Sequence, residues 1–344
     1  MALYNVSTLT MTNSMISNIQ KKTNEFHKLS KEVLEGKHYD MGLELGANHG
    51  TTISLRNDYE SIEKLLLSNS QTDMRLEAAY TAMETSRETA ESFKAELVGL
   101  RDSGGTLSTA GPLAMANLDA LLGQLNTNVG GVFVFGGQNV SNGTANEFTD
   151  AMSATVDGWL DDFMATEGIA DRGSMTQADM EKFLQNDFKT NFDAMWEGQI
   201  SNATDDVMKA TVGDGTTIDS TVSANDQAFK DVAAAYVMLG VFGSDETLSE
   251  GAQAALIDDA ILTLESGGTA MTAAQAQVGS ARSTLENSDE YLKAEKTLLN
   301  TFINDLENVD MNQVGVELTA VETQLENLFA ITNRMRSLSL LNHL

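Results

Sequence analysis

Cysteine is absent from the chain and proline occurs once, as Pro112. Without thiols there are no disulfides, no thiolate nucleophile and no Cys-ligated metal. With one proline, almost nothing interrupts a helix, because an interior proline costs roughly 3 kcal/mol. Aromatic residues are sparse, with two Trp and six Tyr. No stretch reaches the roughly 18 apolar residues that span a bilayer. The opening Met1-Ala2-Leu3-Tyr4-Asn5-Val6 lacks a basic n-region and an apolar h-region. Neither membrane insertion nor a cleavable secretion signal is therefore expected.

Basic charge is also scarce. The 344 residues carry 50 acids against 21 Lys and Arg, a net charge of −29. No basic face is left to release counterions from a phosphate backbone, so nucleic acid is not an expected partner. The excess is uneven: residues 131–270 hold 24 acids and five bases, while the flanks are only mildly acidic. That asymmetry marks a separate middle domain, with a solvated acidic surface or, as the alternative, a cation-binding region.

Helical periodicity dominates what is present. Met311, Val314, Leu318, Val321, Leu325, Leu328, Thr332 and Met335 step three and four without a slip, the a/d seam of a coiled coil. A second seam runs through Ile62, Leu65, Asn69, Thr72, Leu76, Ala79, Met83, Ser86, Ala90, Phe93, Leu97 and Leu100, inside a helix predicted over 51–103. A third has Val278, Leu285, Leu292, Leu299 and Leu306 at sevens. The polar positions Asn69, Thr72 and Ser86 would fix register at some cost in stability. The first 35 residues form a weaker amphipathic helix, diluted by Ser, Thr and Asn, that needs packing to order it.

Between the seams the pattern is mixed. Pro112 can open a short helix, and Val132-Phe133-Val134-Phe135 reads as a strand with Gly136-Gly137 as a hairpin turn. Residues 138–223 are irregular, with short helical patterns at 148–165 and 176–197 and β-like stretches at 207–222. Helices follow at 224–240 and 249–264, and Gly267-Gly268 is expected to separate them from the last long helices. The expected fold is mainly α: a long antiparallel helical rod or coiled coil formed by both chain ends, with an inserted α+β middle domain. Its parts are a terminal assembly region (1–35 and 310–344), a helical rod domain (36–130 and 268–309) and an acidic outer domain (131–267).

No catalytic constellation can be assembled, and no cofactor or metal is expected. The four His residues are scattered, and P-loop, Ser-x-x-Lys and G-x-S-x-G motifs are missing. Asp161-Asp162 and Asp205-Asp206 are neighbours that point in different directions on a helix, which makes them surface charge. Asp214-Gly215-Thr216-Thr217-Ile218-Asp219 lacks the alternating ligands and closing Glu of a calcium loop. The residues that remain are the apolar ones of the two ends. Val278 to Leu306 can be satisfied by Ile62 to Leu100, whereas the terminal seam runs past that partner. An assembly interface is therefore expected at Ile16, Ile19, Phe26, Leu29, Val33, Val314, Leu318, Val321, Leu325, Leu328, Met335, Leu338, Leu340, Leu341 and Leu344.

Several stretches carry a family resemblance. Glu32-Val33-Leu34-Glu35-Gly36-Lys37-His38 with Gly42-Leu43-Glu44-Leu45-Gly46-Ala47-Asn48 resembles the post-helix loop of the flagellin superfamily. Val132-Phe133-Val134-Phe135-Gly136-Gly137 is similar to its phenylalanine–glycine hairpin, and Ala228-Phe229-Lys230-Asp231-Val232 with Ala235-Tyr236-Val237-Met238-Leu239 to its middle helix. The ending Arg336 to Leu344 is close to the family's usual ending. The resemblance covers about 1–140 and 224–344. Filament flagellins usually carry a Ser/Asp-Asp-Pro-Ala-type sequence after the first loop, where this chain has Tyr39-Asp40-Met41-Gly42. That departure places it nearer the hook–filament junction subfamily, hook-associated protein 3, of alphaproteobacterial type.

The resemblance implies a structural, non-enzymatic subunit outside the cell in the bacterial flagellum, exported without a cleaved signal. It implies a homo-oligomeric ring, with a hook-associated junction protein and flagellin as neighbours and an export chaperone as a further candidate partner. A filament flagellin, or a non-flagellar helical signalling rod, is the alternative. A chain free of Cys and nearly free of Pro suits passage as an unfolded polymer, since it neither cross-links nor waits on prolyl isomerisation.

Overall fold

The computed structural model describes residues 8–103 and 107–341 and, as the periodicity predicts, the chain is mainly helical. The long elements are α1 (Thr8–Glu35), α3 (His49–Ser103), α9 (Glu250–Glu307) and α10 (Met311–Leu341). The shorter helices are α2 (Met41–Leu45), α4 (Ala110–Leu125), α5 (Asp150–Glu167), α6 (Gln177–Lys182), α7 (Lys189–Met195) and α8 (Gln227–Phe242). Two antiparallel hairpins complete the fold: β1 (Asn128–Val129) with β2 (Val132–Phe133), and β3 (Lys209–Thr211) with β4 (Thr217–Asp219). The chain divides into two compact units, one of residues 1–63 and 293–344 and the other of residues 64–292.

In the unit of residues 64–292, the expected seam of α3 is buried along its length. Asn69, Thr72, Leu76, Ala79, Met83, Ser86, Ala90, Phe93 and Leu97 are all at most 5% exposed. Val278, Leu285 and Leu292 of α9 are buried as well. Ion pairs fix the antiparallel sense: Arg282 binds Asp73 at 2.9 Å and also Glu77, while Arg101 reaches Asp258. Against α3 and α9 lie α4 and α8, with Leu118, Leu122, Phe229 and Tyr236 in one continuous core.

Two glycine pairs behave differently from expectation. Gly267-Gly268 does not end a helix but lies inside α9, because α8 crosses there. A Cβ on Gly267 would meet Val232 Cγ2 at 2.6 Å and Ala228 O at 3.2 Å, so the residue is needed for close approach. The hairpin turn is Gly130-Gly131, with φ of 64° and 85°, rather than Gly136-Gly137. Gly136 and Gly137 instead run tightly beside the segment at Thr204, held by the bond from Thr204 N to Gly136 O at 3.2 Å.

The helical patterns at 148–165 and 176–197 appear as α5, α6 and α7, but the second is distorted. Residues Phe183–Phe188 and Trp196–Ile200 are π-helical. The wider turns collect aromatic rings in one cluster, with Phe188 stacked on Phe192 (5.7 Å between centroids, 12° between planes) and Phe183 edge-on to Phe242. The β-like stretch 207–222 forms β3 and β4 in the register Lys209↔Asp219, Ala210↔Ile218 and Thr211↔Thr217. The turn of this hairpin docks back on the long helices. Val212 O accepts from Asn69 Nδ2 at 2.8 Å and from Ser288 Oγ at 2.6 Å. Thr72 and Ser86, the other polar seam positions, bond the carbonyls of Ser68 and Ala82 in their own helix.

Candidate assembly interface

The unit of residues 1–63 and 293–344 joins the two ends of the chain. Within it, α1 has a poor composition for an isolated helix, with Ser, Thr and Asn through its first half. Packing compensates. Leu29 meets Val314 and Val321 in a small buried cluster, with Phe26, Val33, Val309, Leu318 and Leu325 packed around it. Further along, the Thr332 hydroxyl lies 4.0 Å from Met15 Sδ. Residue 29 sits near 314 and residue 15 near 332, so α1 and α10 are antiparallel.

The residues expected from the sequence fall into three groups. Leu29, Val314 and Val321 are buried, and Ile19, Phe26, Val33, Leu318, Leu325, Leu328 and Met335 are half-buried. Of these, Phe26, Leu29, Val33, Val314, Leu318, Val321 and Leu325 form one seam between α1 and α10 of the same chain. Ile16 is 49% exposed, and Met15 occupies the place beside Thr332. The side chains of Leu338, Leu340 and Leu341, and the whole of Leu344, lie outside the described residues. Other apolar groups face outward from the same unit, notably Leu34 at 82%, Leu43, Val316 at 72%, Phe329 and Ile331.

Periodicity did not reveal the joint at the base of this helix pair. Glu307, at the end of α9, is 2% exposed, and its carboxylate accepts from the Arg56 guanidinium and, at 3.1 Å, from Lys37 Nζ. The Arg56 hydrogen bonds, with Lys37 beside them, hold the Glu307 carboxyl below its usual range against the opposing effect of burial. Backbone bonds from His38 N to Glu307 O (3.0 Å) and from Val309 N to Gly36 O (3.1 Å) tie the two chain breaks together. Glu32, also buried, accepts from Tyr39 N at 2.9 Å. Lys28 reaches Glu44 at 2.8 Å, fastening α2 to α1. The sequence marked only the bounds of the terminal segments, at residues 35 and 310, and these become the two sides of one joint.

Among the described residues no group of three or more His, Asp or Glu could hold a metal ion, and no helix is long and apolar enough to cross a membrane. What the unit offers is a preformed helix pair with apolar side chains on its outer faces.

Comparison with known proteins bears on both ends. The family model described as the bacterial flagellin N-terminal helical region matches residues 6–140, and that for the bacterial flagellin C-terminal helical region matches residues 259–344. No curated protein matches the chain significantly. Among solved structures, a flagellar hook-associated protein from Vibrio parahaemolyticus aligns with a TM-score of 0.52 and 12% identity, covering 76% of this chain and 97% of its own. At that identity the likeness concerns the fold.

Proposed function

Since this chain belongs to the flagellin family, carrying both of its terminal helical regions, we propose that it is the adaptor subunit between hook and filament. The coarser role, a structural subunit of the flagellum that assembles with other flagellar proteins, follows from the family. The junction position rests on two things: Tyr39-Asp40-Met41-Gly42 in place of the filament-type sequence, and a fold shared with a protein described as hook-associated.

The single observation that carries the assembly role is the α1–α10 pair. Its seam is satisfied inside the chain, yet Leu34, Leu43, Val316, Phe329 and Ile331 remain exposed around it. Exposed apolar groups gathered on one unit mark an interaction surface. Residues 1–35 and 310–344 contact neighbouring copies in a ring, 36–130 and 268–309 carry the helical body, and 131–267 faces water. A strongly acidic outer region suits that last position, because like charge discourages unwanted association. The subunit leaves the cell through the flagellar export route without losing a signal peptide, with an export chaperone as a further partner.

The test is removal of residues 338–344. The junction reading predicts full-length hooks, no attached filament and unassembled flagellin in the medium. Attached filaments of normal length in that strain would overturn it. Labelling through residues 141–223 separates the readings: a short collar supports the junction, and signal along the whole filament supports a filament subunit.

A further inference from the structure

Asn142-Gly143 is the chain's single Asn-Gly sequence. It lies on an exposed loop between β2 and α5, in the unit of residues 64–292 and apart from the helix pair discussed above. The backbone nitrogen after an asparagine can attack the side-chain amide carbon, since the two are close through bonds and the attack closes a succinimide ring. Two things ordinarily oppose it. A side chain on the following residue crowds the nitrogen, and a hydrogen bond from its N–H holds it in the backbone network. Gly143 has no Cβ, and its N–H donates no hydrogen bond among the described residues.

The neighbouring asparagines are protected in both ways. Val140 N, after Asn139, donates to Gln138 O at 3.1 Å. Ala203 N, after Asn202, donates to Ser201 Oγ at 3.1 Å, and Asp226 N, after Asn225, to Ser223 O at 3.1 Å. The Asn142 side chain has one long tie, from its Nδ2 to Asn139 Oδ1 at 3.3 Å. Asn142 and Gly143 are both exposed, so water reaches a ring formed there. The chain just beyond is firmly held. Asn202 donates from Nδ2 to Gly143 O at 3.0 Å and from its backbone N to Thr144 O at 2.8 Å. Asn126 grips Ala145 on both sides, accepting from its N at 3.0 Å and donating to its O at 2.8 Å.

We propose that Asn142 is a site of spontaneous modification, where Gly143 N displaces the side-chain amide and the loop beyond is then loosened. The bond from Gly143 N to Asn142 Cγ forms, the Cγ–Nδ2 bond breaks, and ammonia leaves with the proton of Gly143 N. Water then opens the succinimide. Attack at Cγ gives aspartate, and attack at the backbone carbonyl carbon gives isoaspartate, whose main chain runs through Cγ and is one methylene longer. The aspartate carboxylate faces Asn139 Oδ1, whose own Nδ2 is committed to Asn202 O at 2.8 Å, so acceptor meets acceptor. The longer isoaspartate chain displaces the groups that Asn126 and Asn202 hold.

Full-length folded protein is held in warm, mildly alkaline buffer and sampled by peptide mass spectrometry, with isoaspartate identified by fragmentation. Conversion should appear first at Asn142, ahead of Asn139, Asn202 and Asn225. Gly143→Ala should slow it to the level of those three and keep the fold, because a Cβ there meets only Asn126 Oδ1 at an ordinary 3.5 Å. Asn142→Gln should abolish it over the same incubation. In the converted protein, hydrogen exchange at the amides of Ala145 and Asn202 should rise, and in incubated Asn142→Gln it should not. Conversion at Asn142 no faster than at its three neighbours, equal conversion in folded Gly143→Ala, or unchanged exchange in the converted protein would each overturn the proposal.

Discussion

Asn69 and Val212 lie 143 residues apart, and the amide of the first caps the carbonyl of the second at 2.8 Å. The same amide nitrogen donates to Asp289 Oδ1 at 2.7 Å. One buried side chain thus binds α3, α9 and the β3–β4 turn together. Asn69→Leu should cost about 1–3 kcal/mol, since it leaves Asp289 and part of Val212 without a donor. If Asn69 served only as a polar register position in a seam, leucine would stabilise the chain instead. Urea unfolding gives the sign, and hydrogen exchange at residues 209–219 should rise in the variant.

The joint at Glu307 should respond to acid. Its carboxyl is held below the ordinary range in the folded chain. Its contribution is therefore complete above the unfolded value near ~4.3 and is lost as pH falls through the lower folded value. The amides of His38 and Val309, which close the joint, should exchange faster as pH falls through that window, beyond the intrinsic rate. Glu307→Gln should loosen them at neutral pH, by about 1–2 kcal/mol after discounting for its half-exposed partners. Unchanged protection in the variant would show that the backbone pairs suffice.

Leu29→Ala should unfasten α1 from α10 without unfolding the other unit. The seam is small, so the expected cost is near the lower end of the ~2–5 kcal/mol range for such truncations. Limited proteolysis should cut within α1 and α10 much faster than in the parent, while the fragment around 64–292 persists. Cleavage spread evenly along the chain would contradict the division into two units.

The glycines of α9 predict opposite signs at adjacent positions. A Cβ on Gly268 meets nothing within 4 Å, so Gly268→Ala should stabilise by up to ~1 kcal/mol through helix propensity. Gly267→Ala should destabilise, because Val232 and the α8 backbone occupy the space. Thermal melts of the pair give the comparison directly.

Legibility in the sequence followed the range of the forces involved. The seams were readable because burial at every third and fourth position leaves its mark along a single helix, and Leu76, Met83 and Leu97 sit where the pattern put them. Gly267 was misleading for a reason of distance: α8, the helix that requires it, begins forty residues earlier in the chain, at Gln227. Asn69 looked like a register residue, as nothing near it in sequence announces the hairpin it holds. The Arg56–Glu307 contact joins positions 251 apart, and no periodic signal links them. For the terminal residues, spacing identified the apolar face of α10 and the expected rod brought the two chain ends together, but spacing could not say that Met15 rather than Ile16 points inward.

The pairing of the two chain ends has a kinetic consequence. Helical proteins usually fold fast because their contacts are local. Here the contacts that fix the tertiary structure are among the least local available: 220 residues between Asn69 and Asp289, 270 between Lys37 and Glu307, 317 between Met15 and Thr332. Each doubling of such a loop adds only about 0.6 kcal/mol of closure entropy, but the search must succeed before any seam is rewarded. Helix α1 has to wait for α10 to be available, and until then its Ser- and Thr-rich first half has little reason to stay helical. Closure of the chain ends is therefore expected to come late in folding, after the local helical contacts have formed.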